Sequence, residues 1–383
     1  MKVSPEILNL VPYKTGKPIK ETQREYGLSE VHKLASNENP LGISPKVKAA
    51  LAGALGEMHR YPDPACYELV SLVSELWKVP REKISVGNGS NEIIDLLIRI
   101  YCAPGEAILT YDAAFVAYAV CAQAARVKNV VVPYEKDFRM DLGRMAQTLR
   151  ERKATDKIRL VFLPNPNNPT GVYIPETEVH AFLREFGNDP DLLIVFDEAY
   201  TEFVRAKDYR SALTEMNEFK SVVVIRTLSK AYALAGLRVG ILVAPTDVVD
   251  LYNRVRNPFN VNELAQVAAV AALQDQEFVR KTVELTWQGL DYFAKELEKL
   301  GVPAVPSQAN FVLFDTRRDV KALNEALLRK GVILRPVLNY GLTTHLRMSV
   351  GTETENRAAI RALAEVLPSL PEVGPAGPQG RAN

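Results

Sequence analysis

The sequence predicts an α/β protein with a mostly parallel sheet and a smaller α+β lobe. Three observations carry that expectation. Strand-like and helix-like patterns alternate over most of the 383 residues. Several strand-like segments, Arg159–Leu163, Leu192–Phe196 and Ser221–Ile225, are near-continuous apolar runs, the pattern of parallel strands covered on both faces. Hydrophobic residues make up 47% of the chain, enough for two cores rather than one.

The elements follow in order. Ser44-Pro45 before Lys46–Leu55 reads as an N-cap with proline at the first helical position. Ser71–Trp77 continues a helical pattern. Lys83–Val86 is a short strand, then GNGSNE, then an apolar helix over Ile93–Tyr101. Ala107–Thr110 is a strand, followed by a helix around Ala114–Ala125 and a strand centred on Val130–Val132. After the three apolar runs comes a further strand at Val239–Val243, then long helices at Glu263–Gln274 and Phe278–Leu300. Ala309–Phe314 and Leu346–Val350 read as strands of a second sheet, with helices at Val320–Lys330 and Thr354–Leu367. The expected division is a large domain over 46–285 and a discontinuous small domain over 1–45 and 286–367 that includes an N-terminal arm. The tail, 368–383, is rich in proline and glycine and is expected to be disordered.

Composition excludes several function classes. Lys+Arg number 47 against 46 Asp+Glu, so nothing calls for nucleic acid or a membrane surface as partner. Cys66, Cys102 and Cys121 form no C-x-x-C pair, which suits a reducing compartment. No stretch approaches the ~20 apolar residues of a membrane helix, and the N-terminus lacks a signal-peptide pattern. A cytoplasmic protein is the expectation. His32, His59, His180 and His345 have no metal-ligand spacing, so no metal is expected. There is no G-x-S-x-G and no P-loop.

Four stretches stand at the C-terminal ends of expected strands, where ligands sit in open α/β sheets. GNGSNE (87–92) follows a strand and opens a helix. It could cradle an anion on helix N–H groups, or be an ordinary turn with Ser90 as N-cap. NPNNPTG (165–171) specifies a rigid loop whose asparagines could hydrogen-bond a ligand oxygen, or simply a turn. In DEAY (197–200), an acid closes a buried strand. Such an acid is costly unless paired, by a helix N-terminus or by a proton on a ring nitrogen. TLSKAYALAGLRVG (227–240) puts Lys230 at the end of an apolar strand and Arg238 eight residues on. Lys230 is either a solvated strand cap or a desolvated Schiff-base nucleophile. Arg238 is either a surface residue or an anion ligand. Together the four describe a phosphate cradle, an acid, amide and phenol donors, and an imine-forming lysine. Pyridoxal phosphate needs all of these.

On these motifs, with LASNENPLG (34–42), RYPD (60–63), NPFNVNELAQ (257–266) and LRMSVGT (346–352), the chain resembles the fold-type-I, class I/II pyridoxal-phosphate-dependent aminotransferases, in their histidinol-phosphate branch. The resemblance spans roughly residues 3–366. It implies a seven-stranded-type sheet in the large domain and pyridoxal 5′-phosphate as cofactor. It implies Lys230 as the Schiff-base lysine and Asp197 as partner of the pyridinium nitrogen. Asn168 and Tyr200 would bond the ring hydroxyl oxygen. Gly89, Ser90 and Asn91, with Ser229 and Arg238, would hold the phosphate, and Phe115 would stack on the ring. Tyr61 would reach the phosphate of the neighbouring subunit, implying a homodimer with shared sites. Arg347 and Arg335 would bind the substrate's anionic group, beside Tyr13 and Asn37.

The implied reaction is transamination of histidinol phosphate with 2-oxoglutarate, giving imidazole acetol phosphate and glutamate in histidine biosynthesis. An aromatic amino-acid aminotransferase is the alternative, and a decarboxylase of a phosphorylated amino acid a more distant one. A cofactor-binding sensor fused to a DNA-binding module is disfavoured, because no helix-turn-helix extension or basic excess accompanies the catalytic set. One departure stands out: Asp112-Ala113-Ala114 replaces the proline-rich, threonine-containing form of the stacking loop. This leaves the preferred amino donor open.

Overall fold

A computed structural model describes residues 3–11, 16–135 and 137–373. Tyr13 and residues 374–383 of the tail lie outside that range.

The N-terminal arm carries two helices, α1 (Pro5–Leu8) and α2 (Ile19–Tyr26), the second stopped by left-handed Gly27. A two-residue strand, β1 (His32–Lys33), follows. Helix α3 (Pro45–Ala54) starts as the Ser44-Pro45 pair dictates: the Ser44 side chain accepts from the Val47 N–H at 3.2 Å. Then come α4 (Tyr67–Trp77), β2 (Ile84–Asn88) and α5 (Ser90–Tyr101). β2 runs two residues past its expected end, because Gly87 and Asn88 still pair with a neighbouring strand. β3 (Ala107–Tyr111) leads to α6 (Ala117–Ala124), which begins three residues later than expected, and to β4 (Lys128–Val132).

Helix α7 (Leu142–Asp156), β5 (Ile158–Pro164), α8 (Glu176–Phe186), β6 (Leu193–Asp197), β7 (Val222–Thr227), β8 (Val239–Val243) and α9 (Thr246–Val255) complete the alternation. Helices α7, α8 and α9 had no counterpart in the sequence expectation. Their signal was present: in α7 the buried residues are Leu142, Met145, Ala146 and Leu149, an i, i+3, i+4, i+7 stripe on an otherwise charged helix. Asp141 caps it by accepting from the N–H groups of Gly143 and Arg144.

The central sheet has seven strands in the order β2-β8-β7-β6-β5-β3-β4. All neighbours are parallel except β8, antiparallel to both β2 and β7. From β3 the chain moves outward to β4, and from β5 it moves the other way to β6. The switch in direction opens a crevice at the carboxyl ends of β3 and β5. Register brings three strand ends level, with Pro164 opposite Asp197 and Asp197 opposite Ile225.

Beyond the sheet lie α10 (Glu263–Leu273), capped by Asn262, and the 24-residue α11 (Gln276–Lys299). The second lobe contains β9 (Phe311–Asp315), α12 (Val320–Arg329), β10 (Val332–Ile333), β11 (Arg335–Pro336), β12 (His345–Ser349) and α13 (Glu353–Val366). Its antiparallel sheet runs β11-β12-β9, while β10 pairs in parallel with β1. The lobe has its own core, including Leu34, Phe293, Leu297, Phe314, Leu323, Met348 and Leu363. Helix α11 serves both cores. Val279 and Val283 pack on the large one, and Leu285, Leu290 and Phe293 on the small one. The lobes are therefore joined by a continuous helix rather than a linker.

The expectation of disorder from 368 onward needs correction for residues 368–373. Buried Leu367 opens a short helical turn, Leu367–Ser369. The Val373 N–H donates to the Arg317 carbonyl at 2.9 Å, and Glu372 pairs with Arg318 at 2.9 Å.

Candidate active site

A cavity of about 230 Å³ opens at the carboxyl ends of β3, β5, β6 and β7. Its lining includes Ser90, Asn91, Phe115, Asn168, Asp197, Tyr200, Ser229, Lys230 and Arg238, together with Asn37 and Arg347 from the segments of the smaller lobe.

One end is built for an anion. Gly89 takes φ +79°, a conformation that glycine reaches without strain, and α5 begins at Ser90. A Cβ on Gly89 would lie 2.2 Å from Arg238 Nη2, so the loop's lack of a side chain admits the guanidinium beneath it. Gly240 on β8 is required from behind, since a Cβ there would sit 2.5 Å from both Gly89 C and Ser90 N. Glu92, where a dinucleotide fingerprint would have its third glycine, fastens the loop instead. Its Oε2 accepts from the Asn88 N–H at 2.7 Å and the Asn260 amide at 2.6 Å. The first-turn N–H groups of α5, the Ser90 and Ser229 hydroxyls and Arg238 thus converge at one place. Arg238 Nη1 donates to the Ala235 carbonyl at 3.1 Å. Among the described residues no carboxylate pairs with either Arg238 or Lys230.

The other end holds the acid and the lysine. Asp197 is 4% exposed, and burial pushes its carboxyl up to about 6. The Tyr118 hydroxyl donates to its Oδ2 at 2.7 Å and the Ala199 N–H to its Oδ1 at 3.2 Å. The next residue, Glu198, is also buried. It accepts from Arg226 at 2.8 and 3.0 Å, from the Ser211 hydroxyl at 2.8 Å and from the Ala212 N–H at 2.6 Å. This pair ties the end of β6 to β7, the two strands that deliver Asp197 and Lys230. Lys230 Nζ donates to the Ser36 carbonyl at 3.4 Å. Desolvation first, and the Arg347 guanidinium second, pull its amine down to about 8.

The phenol of Tyr200 is held by amides. Asn37 Nδ2 donates to its oxygen at 2.9 Å and Asn168 Nδ2 at 3.3 Å. Asn37, in the left-handed region at φ +55°, is oriented by the Ser349 hydroxyl, which donates to its Oδ1 at 2.9 Å. Arg347 Nη1 donates to Asn168 Oδ1 at 2.6 Å and Nη2 to the Ala35 carbonyl at 2.7 Å. The three asparagines of the NPNNPTG loop divide their work. Asn165 exchanges bonds with Ile174 and Asn167 holds the Ala113 carbonyl at 2.7 Å, so both fasten the loop. Asn168 alone faces the cavity.

Two expected residues stand apart from the cavity. Tyr61 is 82% exposed and stacks on Phe259, with ring centroids 4.6 Å apart. Arg335 lies on β11, directly opposite Arg347 in the strand register. Sequence reasoning assigned no role to Thr227, whose hydroxyl donates to Ser229 Oγ at 2.9 Å, or to Tyr118. Thr227 opens a stretch singled out for its neighbours, and Tyr118 lies in the expected helix Ala114–Ala125, three residues after Phe115. Among the described residues no cluster of His, Cys, Asp and Glu could hold a metal ion, and no helix is long and apolar enough to cross a membrane.

Residues 29–363 match the family model for aminotransferase class I and II. The chain belongs to that family. This aminotransferase is 58% identical over 370 residues to a histidinol-phosphate aminotransferase of Bdellovibrio bacteriovorus, covering 97% of this chain and 99% of that one. It is 43% identical over 362 residues to the enzyme of the same name from Moorella thermoacetica, covering 94% and 92%. Among solved structures, it superposes with a TM-score of 0.86 at 25% identity on the histidinol-phosphate aminotransferase of Sinorhizobium meliloti in complex with pyridoxal-5′-phosphate. That match covers 96% of this chain and 98% of the other.

Proposed function

We propose that this aminotransferase moves the amino group of histidinol phosphate to 2-oxoglutarate, giving imidazole acetol phosphate and glutamate, with pyridoxal 5′-phosphate as cofactor. The observation that carries the reading is the charge layout of the cavity. A buried carboxylate, Asp197, shares one end with Lys230, and Arg238 stands at the other end beside a helix N-terminus; among the described residues neither cation has a carboxylate partner. An anionic ring compound carrying a phosphate and a basic nitrogen satisfies all of these at once. The 58% identity to a histidinol-phosphate aminotransferase supports the choice of substrate.

When bound, pyridoxal 5′-phosphate supplies an aldehyde that exchanges with amines and a ring that accepts the electron pair left by the departing α-proton. The chain's residues do the rest. The first-turn N–H groups of α5, Ser90, Ser229 and Arg238 hold the phosphate, with Gly89 and Asn91 shaping the loop. Asp197 keeps a proton on the ring nitrogen. The oxygen of Tyr200 already accepts from two amides, so its own hydroxyl proton would be available to donate to the ring oxygen, beside Asn168. Phe115 covers a ring face. Lys230 would hold the aldehyde end, and once released its Nζ would take the proton from the substrate Cα and deliver it to the cofactor carbon that had carried the aldehyde. Arg347, which lines the cavity, would bind the substrate's phosphate or carboxylate, because a guanidinium fork suits either anion, with Arg335 opposite it on β11 as the second cation. One site then serves both half-reactions in turn, with Asn37 lining it.

The reading includes a homodimer in which Tyr61 completes the neighbouring site. A tyrosine this exposed and stacked on Phe259 suits a covered surface. It also includes a cytoplasmic setting, consistent with three unpaired cysteines.

The half-reactions give the test. Histidinol phosphate alone should consume one equivalent of bound cofactor absorbance and release one ketone per site. Adding 2-oxoglutarate should restore the absorbance and release glutamate. Product formation that requires both substrates together would contradict the ping-pong scheme.

A further inference from the structure

The carboxyl of Asp197 has no cation at ion-pairing distance among the described residues. Its strongest direct partner is neutral: the hydroxyl of Tyr118, at 2.7 Å. Tyr118 is 1% exposed. Its ring stacks on Phe162 with centroids 4.6 Å apart and planes 16° apart, and stands edge-on to Phe115 at 5.8 Å and 90°. One side chain therefore touches both the acid and the aromatic that borders the cavity. It belongs to α6, while Asp197 ends β6, so the two meet across the crevice between β3 and β5.

We infer that Tyr118 is a positioning residue for the cofactor: its hydroxyl holds Asp197 ionised and turned to the cavity, while its ring edge braces Phe115. This rests on the reading of Asp197 as partner of the ring nitrogen.

The physical reason is the choice of donor. A buried acid can be kept charged by a cation, but a cation there would satisfy the carboxylate and compete with a protonated ring. A phenol stabilises the anion by a hydrogen bond and leaves its charge uncompensated. The remaining charge is then available to a cationic ligand. Burial works against ionisation, as does Glu198 next in the chain, while Lys230 after β7 and the Ala199 N–H work for it. Tyr200, on the turn after β6, is neutral over the working range, since burial raises its phenol to about 12. Without the Tyr118 hydroxyl, one N–H bond would be left to hold a charge in a dry site, and protonation of Asp197 becomes the cheaper state.

The test uses the full-length apoprotein and pyridoxamine 5′-phosphate, which cannot condense with Lys230. Its dissociation constant is measured between pH 5 and 8 for wild type, Tyr118→Phe, Asp197→Asn and the double variant. Tyr118→Phe should weaken binding at neutral pH by about tenfold and move the acid limb of the affinity profile up by about one pH unit. In the Asp197→Asn background the same change should have little effect, because no charge remains to be held. A Tyr118→Phe profile that superimposes on wild type would overturn the inference. So would an undiminished effect in the Asp197→Asn background, which would make the tyrosine a packing residue only. Asp197→Asn that binds like wild type would defeat the underlying reading of Asp197, and the inference with it. If Tyr118→Phe alone does not fold, a folded double variant that binds like Asp197→Asn supports the inference, and failure of both to fold overturns it.

Discussion

At the scale of single residues, chemistry follows from burial. Lys230 was legible in the sequence because a lysine ending so apolar a strand needs a reason, and three neighbouring motifs supplied one. Its environment was not legible, since Ser36 and Arg347 come from the far ends of the chain. The amine titrates near 8, and only the neutral form attacks an aldehyde. The rate at which apoprotein captures pyridoxal 5′-phosphate should therefore rise through pH 8 and level off above it, as stopped-flow absorbance would show. Lys230→Ala should remove both turnover and the covalent absorbance band, while the fold survives. Asp197 makes the opposite compromise. Its folded-state pKa is raised from 3.8 to about 6, so the native state holds a proton that the unfolded chain has released. Apoprotein stability should fall as pH rises from about 4 to 6 and stay lower above that. Asp197→Asn should relieve the loss, raising the apoprotein melting temperature at pH 8 by the equivalent of about 2–3 kcal/mol, while cofactor affinity drops. An Asn variant less stable than wild type at pH 8 would contradict this account of the buried charge. Tyr118 and the amide clamp on Tyr200 escaped sequence reasoning for a physical reason. Each pairs groups at least 32 positions apart in the chain, and such a pairing exists only after folding.

At the scale of elements, the strand ends were the readable feature. Apolar runs on β5, β6 and β7 marked parallel buried strands, and the polar residue after each run marked the cavity. Direction was not readable for β8: Val239–Val243 is apolar and fully buried, and such a run looks the same parallel or antiparallel. The antiparallel return matters, because it brings Gly240 against the Gly89–Ser90 peptide. Gly240→Ala should push that loop out of place and weaken cofactor affinity by tenfold or more, with a smaller effect on melting temperature. Isothermal titration of the apoprotein checks it. Unchanged affinity would mean that the loop yields without cost. The three unexpected helices, α7 to α9, show the limit of reading by apolarity. Their buried stripes are narrow and their exposed faces strongly charged, so periodicity rather than composition was the usable signal.

At the scale of the whole molecule, the site is a seam. The large lobe brings the strand ends and α5. The segment after β1 brings Ser36 and Asn37, and β12 brings Arg347 and Ser349. A core in each lobe was legible from the amount and order of apolar sequence. The seam was not, because it depends on α11 carrying the chain from one core into the other. The proposed homodimer extends the same logic to a second chain. Lys230→Ala and Tyr61→Ala homodimers should each be impaired, and mixing them should restore one working site in each heterodimer. Sedimentation at twice the 42.5 kDa chain mass with no such complementation would leave the dimer standing and remove Tyr61 from the shared site. Phe115, which follows the altered loop Asp112-Ala113-Ala114, and Arg347 of the smaller lobe line the same cavity. The most direct test of the central claim is a comparison of kcat/KM for histidinol phosphate and for phenylalanine, each with 2-oxoglutarate as acceptor. The account predicts a clear preference for histidinol phosphate; a preference for phenylalanine would contradict it.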